Sequence, residues 1–295
     1  MRTLATLMWL VLCGSAVWAH GEAGPAAGLR WTFDPFVVVP LAAALAVYVA
    51  GTLRLARAGS GRAVRPLQCL CYLTGWLALA LALTSPLHWL GERMLAFHMI
   101  EHEIVMACAA PLLVVARPAA ALLWGVPQRL RGSLAGVLRR PALRSGWRWL
   151  ARPGLATVLH AVVIWIWHVP LLFDAAVANV AIHRLQHVSF LGAALLFWWA
   201  ITRSRDRGLA AVHLFVTMLH TSALGALMAL APRVLYRIEP ASAAVWGLTP
   251  LEDQQLAGLM MWIPACTVYA AAALLLAMRW VAQSGRAAER SYVRP

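Results

Sequence analysis

Residues 94–115 read MLAFHMIEHEIVMACAAPLLVV, a run of 22 residues that is apolar except for two histidines and two glutamates. At about 1.5 Å per residue, a helix of this length crosses a hydrocarbon core of about 30 Å. Ionisable side chains inside a membrane are costly and usually face a cavity or one another. The stretch therefore predicts a membrane-spanning helix that carries a buried polar site.

The same apolar pattern recurs along the whole chain. Of its 295 residues, 62% are hydrophobic and only 12% are charged, whereas an ordinary soluble domain carries about a quarter charged residues. The runs lack the alternation of polar and apolar residues that a membrane β-barrel requires. We therefore predict an all-α, polytopic membrane protein with a single domain over residues 20–295, and we exclude the soluble classes. The seven predicted transmembrane helices are 35–53, 67–85, 94–115, 155–173, 183–201, 209–231 and 255–278.

The arginines indicate how these helices are oriented. All 25 basic residues are arginine, and the formal net charge is +14. Nineteen lie in the tail or in connections on one side, whereas the other side carries only Arg30, Arg93, Arg184, Arg233 and Arg237. Because basic residues concentrate on the cytoplasmic side, this split predicts an N-terminus outside and a C-terminus in the cytoplasm of a bacterial inner (plasma) membrane. The positive charge thus indicates a lipid bilayer as partner, and no nucleic acid.

The first nineteen residues have the features of a signal peptide. Arg2 supplies the positive charge, residues 4–12 form the apolar core, and Val17-Trp18-Ala19 is an acceptable cleavage site. Cleavage would make His20 the N-terminus. An uncleaved helix is the alternative, and it would leave the orientation of the seven spans unchanged.

One face of the third span carries a candidate metal site. Met94, His98, His102 and Met106 are spaced four apart, which places them in one stripe of an α-helix. Imidazoles and thioethers are soft, neutral ligands that suit Cu(I) better than Zn²⁺ or Mg²⁺. The alternative is a polar seam for helix packing in which methionine fills gaps.

Other spans add candidate ligands at a comparable depth. The fifth span repeats the four-residue spacing, and a histidine precedes a proline near the end of the fourth. Convergence at one depth favours a shared copper site over separate packing roles. These further candidate ligands are His168, His183, His187 and Met261, with His220 near mid-depth. For His88 we expect a solvated position, and for His160 and His213 a role in packing.

Three carboxylates are predicted to support these ligands. Asp253 opens the seventh span, where it either caps the free amides of its own helix or accepts a hydrogen bond from a ligand imidazole. Glu101 and Glu103 flank His102 and are expected to pair with histidine or arginine from neighbouring helices. Proton relay is an alternative role for these two glutamates.

Taken together, these motifs resemble a known family. They are HMIEH at 98–102 with Met106 and Pro111, WHVP at 167–170, the pair His183 and His187, HTSALGA at 220–226, and DQQ at 253–255 leading to Gly258 and Met261-Trp262. Their order from about residue 35 to 280 is similar to that of CtaG, the cytochrome c oxidase assembly factor of the Caa3 type. The resemblance implies a seven-helix bacterial membrane protein, not an enzyme, that matures haem-copper terminal oxidases at their copper B centre. The implied partners are the oxidase catalytic subunit and a periplasmic copper donor.

Two other functions remain open at this point. Imidazoles from two helices could hold haem axially, as in a membrane electron-transfer protein. A copper transporter would need ligands along its whole path, for which the candidates are His213, His160 and the pair Cys69 and Cys71. The sequence contains no Walker loop, dinucleotide fingerprint or serine nucleophile elbow, so no motif names a catalysed reaction.

Overall fold

Prolines mark where many of the helices begin. The computed structural model describes residues 29–59, 65–237 and 243–293, with side chains up to 284, and this part contains helices and no strand. Proline suits the first turn because its missing N–H has no helical partner there. It is the first residue of seven helices here, namely those that begin at Pro35, Pro66, Pro86, Pro141, Pro153, Pro170 and Pro250.

The described helices are, in chain order, α1 (Pro35–Arg57), α2 (Pro66–Thr84), α3 (Pro86–Gly91), α4 (Leu95–Glu103), a π-helix (Ile104–Ala109), α5 (Ala110–Val115), α6 (Ala119–Gly125), α7 (Gln128–Leu138), α8 (Pro141–Leu150), α9 (Pro153–Trp167), α10 (Pro170–Ala178), α11 (Val180–Arg203), α12 (Arg207–Ala229) and α13 (Pro250–Val293). The all-α class is therefore confirmed. The predicted signal peptide, residues 1–19, lies outside the described residues, and the orientation of the bundle remains a prediction.

Six of the predicted spans are confirmed as helices long and apolar enough to cross a membrane. They are Pro35–Arg57, Pro66–Thr84, Leu95–Val115, Val180–Arg203, Arg207–Ala229 and Pro250–Ser284. The count rises to seven if the bent pair of α8 and α9 is one span.

The predicted fourth span, 155–173, is wrong as a single helix. Helix α9 has only 15 residues and ends at Trp167, and α10 begins at Pro170. Pro170 lacks the N–H that would continue the helix, and a residue before proline is disfavoured in the α conformation. At its other end, α9 meets α8 at an angle of 70°. The apolar run therefore folds into two shorter helices where the sequence suggested one span.

The third span contains a π-helical segment directly after Glu103. A π-helix has wider turns than an α-helix, so Met106 does not continue the regular α-helix that carries His98 and His102. Met94 has an extended backbone (φ −132°) and precedes the helix. Of the predicted four-residue stripe, only the two histidines therefore lie in one regular α-helix, with Met94 before it and Met106 in the π-helix. Within the π-helix, the Met106 carbonyl accepts a hydrogen bond from Trp198 Nε1 at 3.0 Å.

Glycines bring two pairs of helices into close contact. A Cβ atom on Gly258 of α13 would lie 2.4 Å from the backbone nitrogen of Ala229 of α12, so only glycine permits this approach. Likewise, a Cβ atom on Gly51 of α1 would lie 1.7 Å from the Ala121 carbonyl oxygen of α6. Small residues at such crossings let helix backbones pack closely in a membrane, where hydrophobic attraction between helices is weak.

Candidate metal centre

Five imidazoles and one carboxylate come together between helices α3, α4 and α11. We call this group the histidine cluster. Helix α3 is a short helix outside the predicted spans, whereas α4 and α11 begin their spans at this end of the bundle. The opposite ends of these two spans lead to arginine-rich connections. The cluster consists of His88, His98, Glu101, His102, His183 and His187.

Glu101 connects the helices at this site. Its Oε1 accepts a hydrogen bond of 2.8 Å from His88 Nδ1 and lies 3.3 Å from His187 Nε2. Its side chain is fully buried, and its Oε2 has no hydrogen-bond partner. One ligand atom from each of these three residues lies within 4.8 Å of the other two. This spacing suits a shared metal ion, although no ligand set containing His88 follows from the sequence pattern.

The remaining histidine rings of the cluster contact one another in a continuous row. The Nε2 atoms of His183 and His187 are 2.8 Å apart, so one ring donates a hydrogen bond to the other. The ring centroids of His98 and His102 are 4.3 Å apart, and His102 lies 5.3 Å from His187. The predicted pairs on α4 and α11 therefore meet, as their common depth suggested.

Gly91, at the end of α3, fixes the tautomer of the His98 ring. The Gly91 carbonyl can only accept, so His98 Nδ1 carries the proton of their 3.1 Å hydrogen bond. This tautomer leaves a lone pair on Nε2, which is buried and has no hydrogen-bond partner. A Cβ atom on Gly91 would lie 3.0 Å from Glu101 Oε2, so a larger residue would press on the cluster.

His88 is the cluster residue whose position sequence reasoning missed. We expected a solvated side chain, but only 14% of the side chain is exposed. Burial lowers the pKa of His88, but the hydrogen bond and the charge of Glu101 outweigh burial and raise the pKa above its usual value. One feature of the sequence could have indicated that His88 belongs to the cluster. His88 lies in the same short connection as Gly91, ten residues before His98.

Asp253 holds the start of α4 in place. Its two carboxylate oxygens accept hydrogen bonds from the backbone amides of Leu95 (2.8 Å) and Ala96 (3.1 Å). Where we expected an imidazole or the amides of its own helix, the structure places two amides of a different helix. These amides are free because they lie in the first turn. Asp253 thus positions His98, one turn further on, through the backbone.

His168 lies next to the histidine cluster. Its Nδ1 donates to the Ile164 carbonyl at 2.7 Å, which leaves Nε2 with a lone pair, buried and without a hydrogen-bond partner. The Phe190 ring contacts both His102 (4.6 Å between centroids) and His168 (6.3 Å). The Tyr236 hydroxyl donates to the His168 carbonyl at 3.0 Å and so anchors the break between α9 and α10.

The other predicted site residues are not among the six of the histidine cluster. Met106 and Met261 are buried in the hydrophobic core. Glu103 is buried, with no hydrogen-bond partner for its Oε2, so the predicted pairing with histidine or arginine is absent for that oxygen. His220 lies on α12, and no ring contact among the described residues joins it to the cluster.

Comparison with known proteins identifies the family. The chain matches the sequence model of the cytochrome c oxidase caa3 assembly factor family (Caa3_CtaG) over residues 46–283. The chain belongs to the Caa3_CtaG family. All six residues of the histidine cluster, and His168, lie inside the matched range.

One relative of this Caa3_CtaG member is an uncharacterised protein of Mycobacterium leprae (strain TN). The two sequences are 28% identical over 281 residues, which cover 88% of this chain and 41% of the relative. The chain therefore spans about two fifths of that relative's length. No solved structure matches the chain.

Proposed function

We propose that this Caa3_CtaG member binds copper in the histidine cluster and delivers it to the catalytic subunit of a haem-copper terminal oxidase. The observation that carries the proposal is the convergence of five imidazoles and one buried carboxylate, with His88 and His187 next to that carboxylate. Cytochrome c oxidase assembly is the role of the family, and copper is a component of the oxidase that an assembly factor would have to supply.

The donors of the cluster suit copper. Neutral imidazole is a good ligand for copper. A bound cation would also offset the charge of Glu101, which is expensive to bury alone. Several ring nitrogens lack hydrogen-bond partners, and a buried polar atom without a partner is costly unless a ligand satisfies it. Copper binding would therefore complete interactions that the protein alone leaves open.

The arginine distribution supports delivery from the outer face. The cluster lies at the end of α4 and α11 that is opposite the arginine-rich connections. Under the positive-inside rule that end is periplasmic. We therefore propose a bacterial inner-membrane protein with its N-terminus outside and its C-terminus in the cytoplasm. It would receive copper from a periplasmic donor and pass it to the oxidase on the same side.

The close contact between rings argues against haem in the cluster. Rings on facing helices already contact each other, with centroids 5.4 Å apart for His98 and His183 and 5.3 Å apart for His102 and His187, so a porphyrin between them would need more space. The visible spectrum of the purified protein tests this directly, since bound haem gives a Soret band. Copper without such a band supports the proposal, and a Soret band without copper would replace it with electron transfer.

The decisive experiment removes two proposed copper ligands, His98 and His102, that are not required for insertion into the membrane. Changing both His98 and His102 to Ala should lower the copper content of the protein and leave the host oxidase poorly active, while membrane levels stay near normal. Insertion should survive because the span becomes more apolar. Oxidase activity, copper content and membrane abundance are measured in each strain.

The matched control for this experiment is His213→Ala. His213 lies on α12, outside the cluster, and its Nδ1 is 3.2 Å from the Thr157 hydroxyl. This variant should leave oxidase activity and copper content near those of the wild type. A fully active oxidase in the His98/His102 double mutant would refute the proposal. Tight zinc binding with indifference to copper would refute it equally.

A further inference from the structure

The histidine cluster offers more ligands than one copper ion uses. Six side chains converge, whereas a tetrahedral site takes about four ligands. The extra donors are not at the surface, where water would satisfy them, because His98, Glu101 and His102 are at most 2% exposed. The number of buried donors therefore calls for a second occupant or a second function.

The rings form a row with two distinct ends. At one end, His88 contacts the rings of His183 (5.6 Å) and His187 (6.0 Å). At the other end, His98 and His102 contact each other and reach the same two rings, at 5.4 Å from His98 to His183 and 5.3 Å from His102 to His187. No ring contact among the described residues joins His88 directly to His98 or His102. The α11 histidines thus lie between two separate donor groups.

The first end has a ligand group that includes a carboxylate. The ligand atoms of His88, Glu101 and His187 lie within 4.8 Å of one another, and the side chains of His88 and His187 are 14% and 11% exposed. We call this group the His88 position. Its place outside the spans and its exposure make it the point at which a metal ion can enter from water.

The second end is made of imidazoles alone. His98 presents a lone pair on Nε2, and neither ring nitrogen of His102 has a hydrogen-bond partner. We call this pair the His98 position. His187 Nδ1 is also buried without a partner, so the ring of His187 has one nitrogen near Glu101 and a second nitrogen still available.

We infer that the histidine cluster binds two copper ions, one at the His88 position and one at the His98 position, with His183 and His187 between them. The inference rests on the proposed function and specifies how copper is held. An ion that enters at the His88 position reaches the His98 position by exchanging ligands with the α11 histidines. It is never released into lipid. The arrangement gives a membrane protein both an entry site and a more deeply buried holding site.

The test counts the ions. The full chain, purified in detergent, is titrated anaerobically with Cu(I) against a chromophoric chelator, and the bound copper is measured. We expect two equivalents for the wild type and for the control His213→Ala. We expect one equivalent for His88→Ala, one for the double variant His98→Ala/His102→Ala, and none when all three changes are combined. X-ray absorption should show imidazole ligands at both stoichiometries.

The outcomes separate this inference from the function it rests on. A wild type that binds one equivalent overturns the two-site inference and leaves copper delivery standing, whereas a wild type that binds none overturns both. Loss of both ions in His88→Ala would show a single site and overturn the inference. Gel-filtration elution and thermal unfolding check that each variant is folded. His88→Gln, which keeps a polar side chain of similar length, replaces His88→Ala if the latter does not fold.

Discussion

The carboxylate of Glu101 accepts a hydrogen bond from His88 at 2.8 Å, which ties the short helix α3 to the first helix of the third span. The same oxygen lies 3.3 Å from His187 Nε2 on α11. One buried carboxylate thus joins three helices and faces two imidazoles. The consequences can be tested at Glu101 itself, at the glycine beside it, and at the aspartate that positions α4.

Replacing Glu101 by Gln should weaken copper binding and leave the fold intact. The change preserves the shape of the side chain but removes its negative charge and leaves one carbonyl acceptor for two imidazole donors. Loss of a carboxylate that orients or binds at a metal site typically lowers affinity about 10–100-fold. The measurement is Cu(I) affinity by chelator competition. The control is Glu92→Gln, since the Glu92 side chain is 45% exposed and 3.9 Å from His88 Nε2. Equal affinities in the wild type and Glu101→Gln would exclude Glu101 as a ligand.

Replacing Gly91 by Ala should disturb the histidine cluster by crowding it. The new methyl group would lie 3.0 Å from Glu101 Oε2 and 3.3 Å from the Cα atom of His98. Overpacking of this kind costs about 1–3 kcal/mol of stability. We expect a lower midpoint of thermal unfolding in detergent together with weaker copper binding.

Gly192→Ala is the matched control for that substitution. Gly192 lies on α11, and a Cβ atom there would meet no other atom within 4 Å. Alanine in a helix interior is favoured over glycine by about 0.5–1 kcal/mol, so this variant should be as stable as the wild type or slightly more so. Unfolding midpoints that fall equally in both variants would show that crowding at Gly91 is not the cause.

Replacing Asp253 by Ala should affect stability and copper affinity together. The backbone amides of Leu95 and Ala96 would lose their acceptor, and a buried donor left without a partner costs about 1–3 kcal/mol. Because His98 lies one turn along α4, a displaced helix start should move its ring and lower the affinity for copper. Thermal unfolding and chelator competition measure the two effects.

A substitution at a different helix cap serves as the control that separates the loss of stability from the loss of copper affinity. Asp206 caps α12 by accepting a hydrogen bond from the Leu209 amide at 2.9 Å, and it lies at the opposite end of the bundle from the cluster. Asp206→Ala should lose about 0.5–2 kcal/mol of stability and bind copper normally. If Asp253→Ala also binds copper normally, its carboxylate stabilises the helix without positioning the site.

The orientation of the bundle is testable with reporter fusions at the two ends. The 117–152 connection carries eight arginines and is expected in the cytoplasm, whereas the connection before α13 is expected in the periplasm. Alkaline phosphatase, which is active only outside the cytoplasm, should be inactive when fused at Arg140 and active when fused at Gly247. Activity at Arg140 would reverse the orientation and would place the histidine cluster on the cytoplasmic side.

The sequence by itself determined the class of protein and most of its helices. Apolar runs of sufficient length can be satisfied in lipid only as helices, so six of the seven predicted spans agree with the structure to within a few residues, apart from the longer last helix. It also paired His98 with His102 and His183 with His187, because a spacing of four is a local property of the α-helix. The order of these motifs was enough to indicate the family.

Only the tertiary structure decided which residues share a site. The partners of Asp253 lie 158 and 157 residues away along the chain, and no local pattern encodes that contact. His88 joins the cluster because α3 folds back over α4, which depends on the close approach at Gly91. Met106 lies in a π-helix, which interrupts the regular α-helix of His98 and His102 within the span. Local periodicity places a side chain on the face of one helix, but packing between helices decides which faces meet.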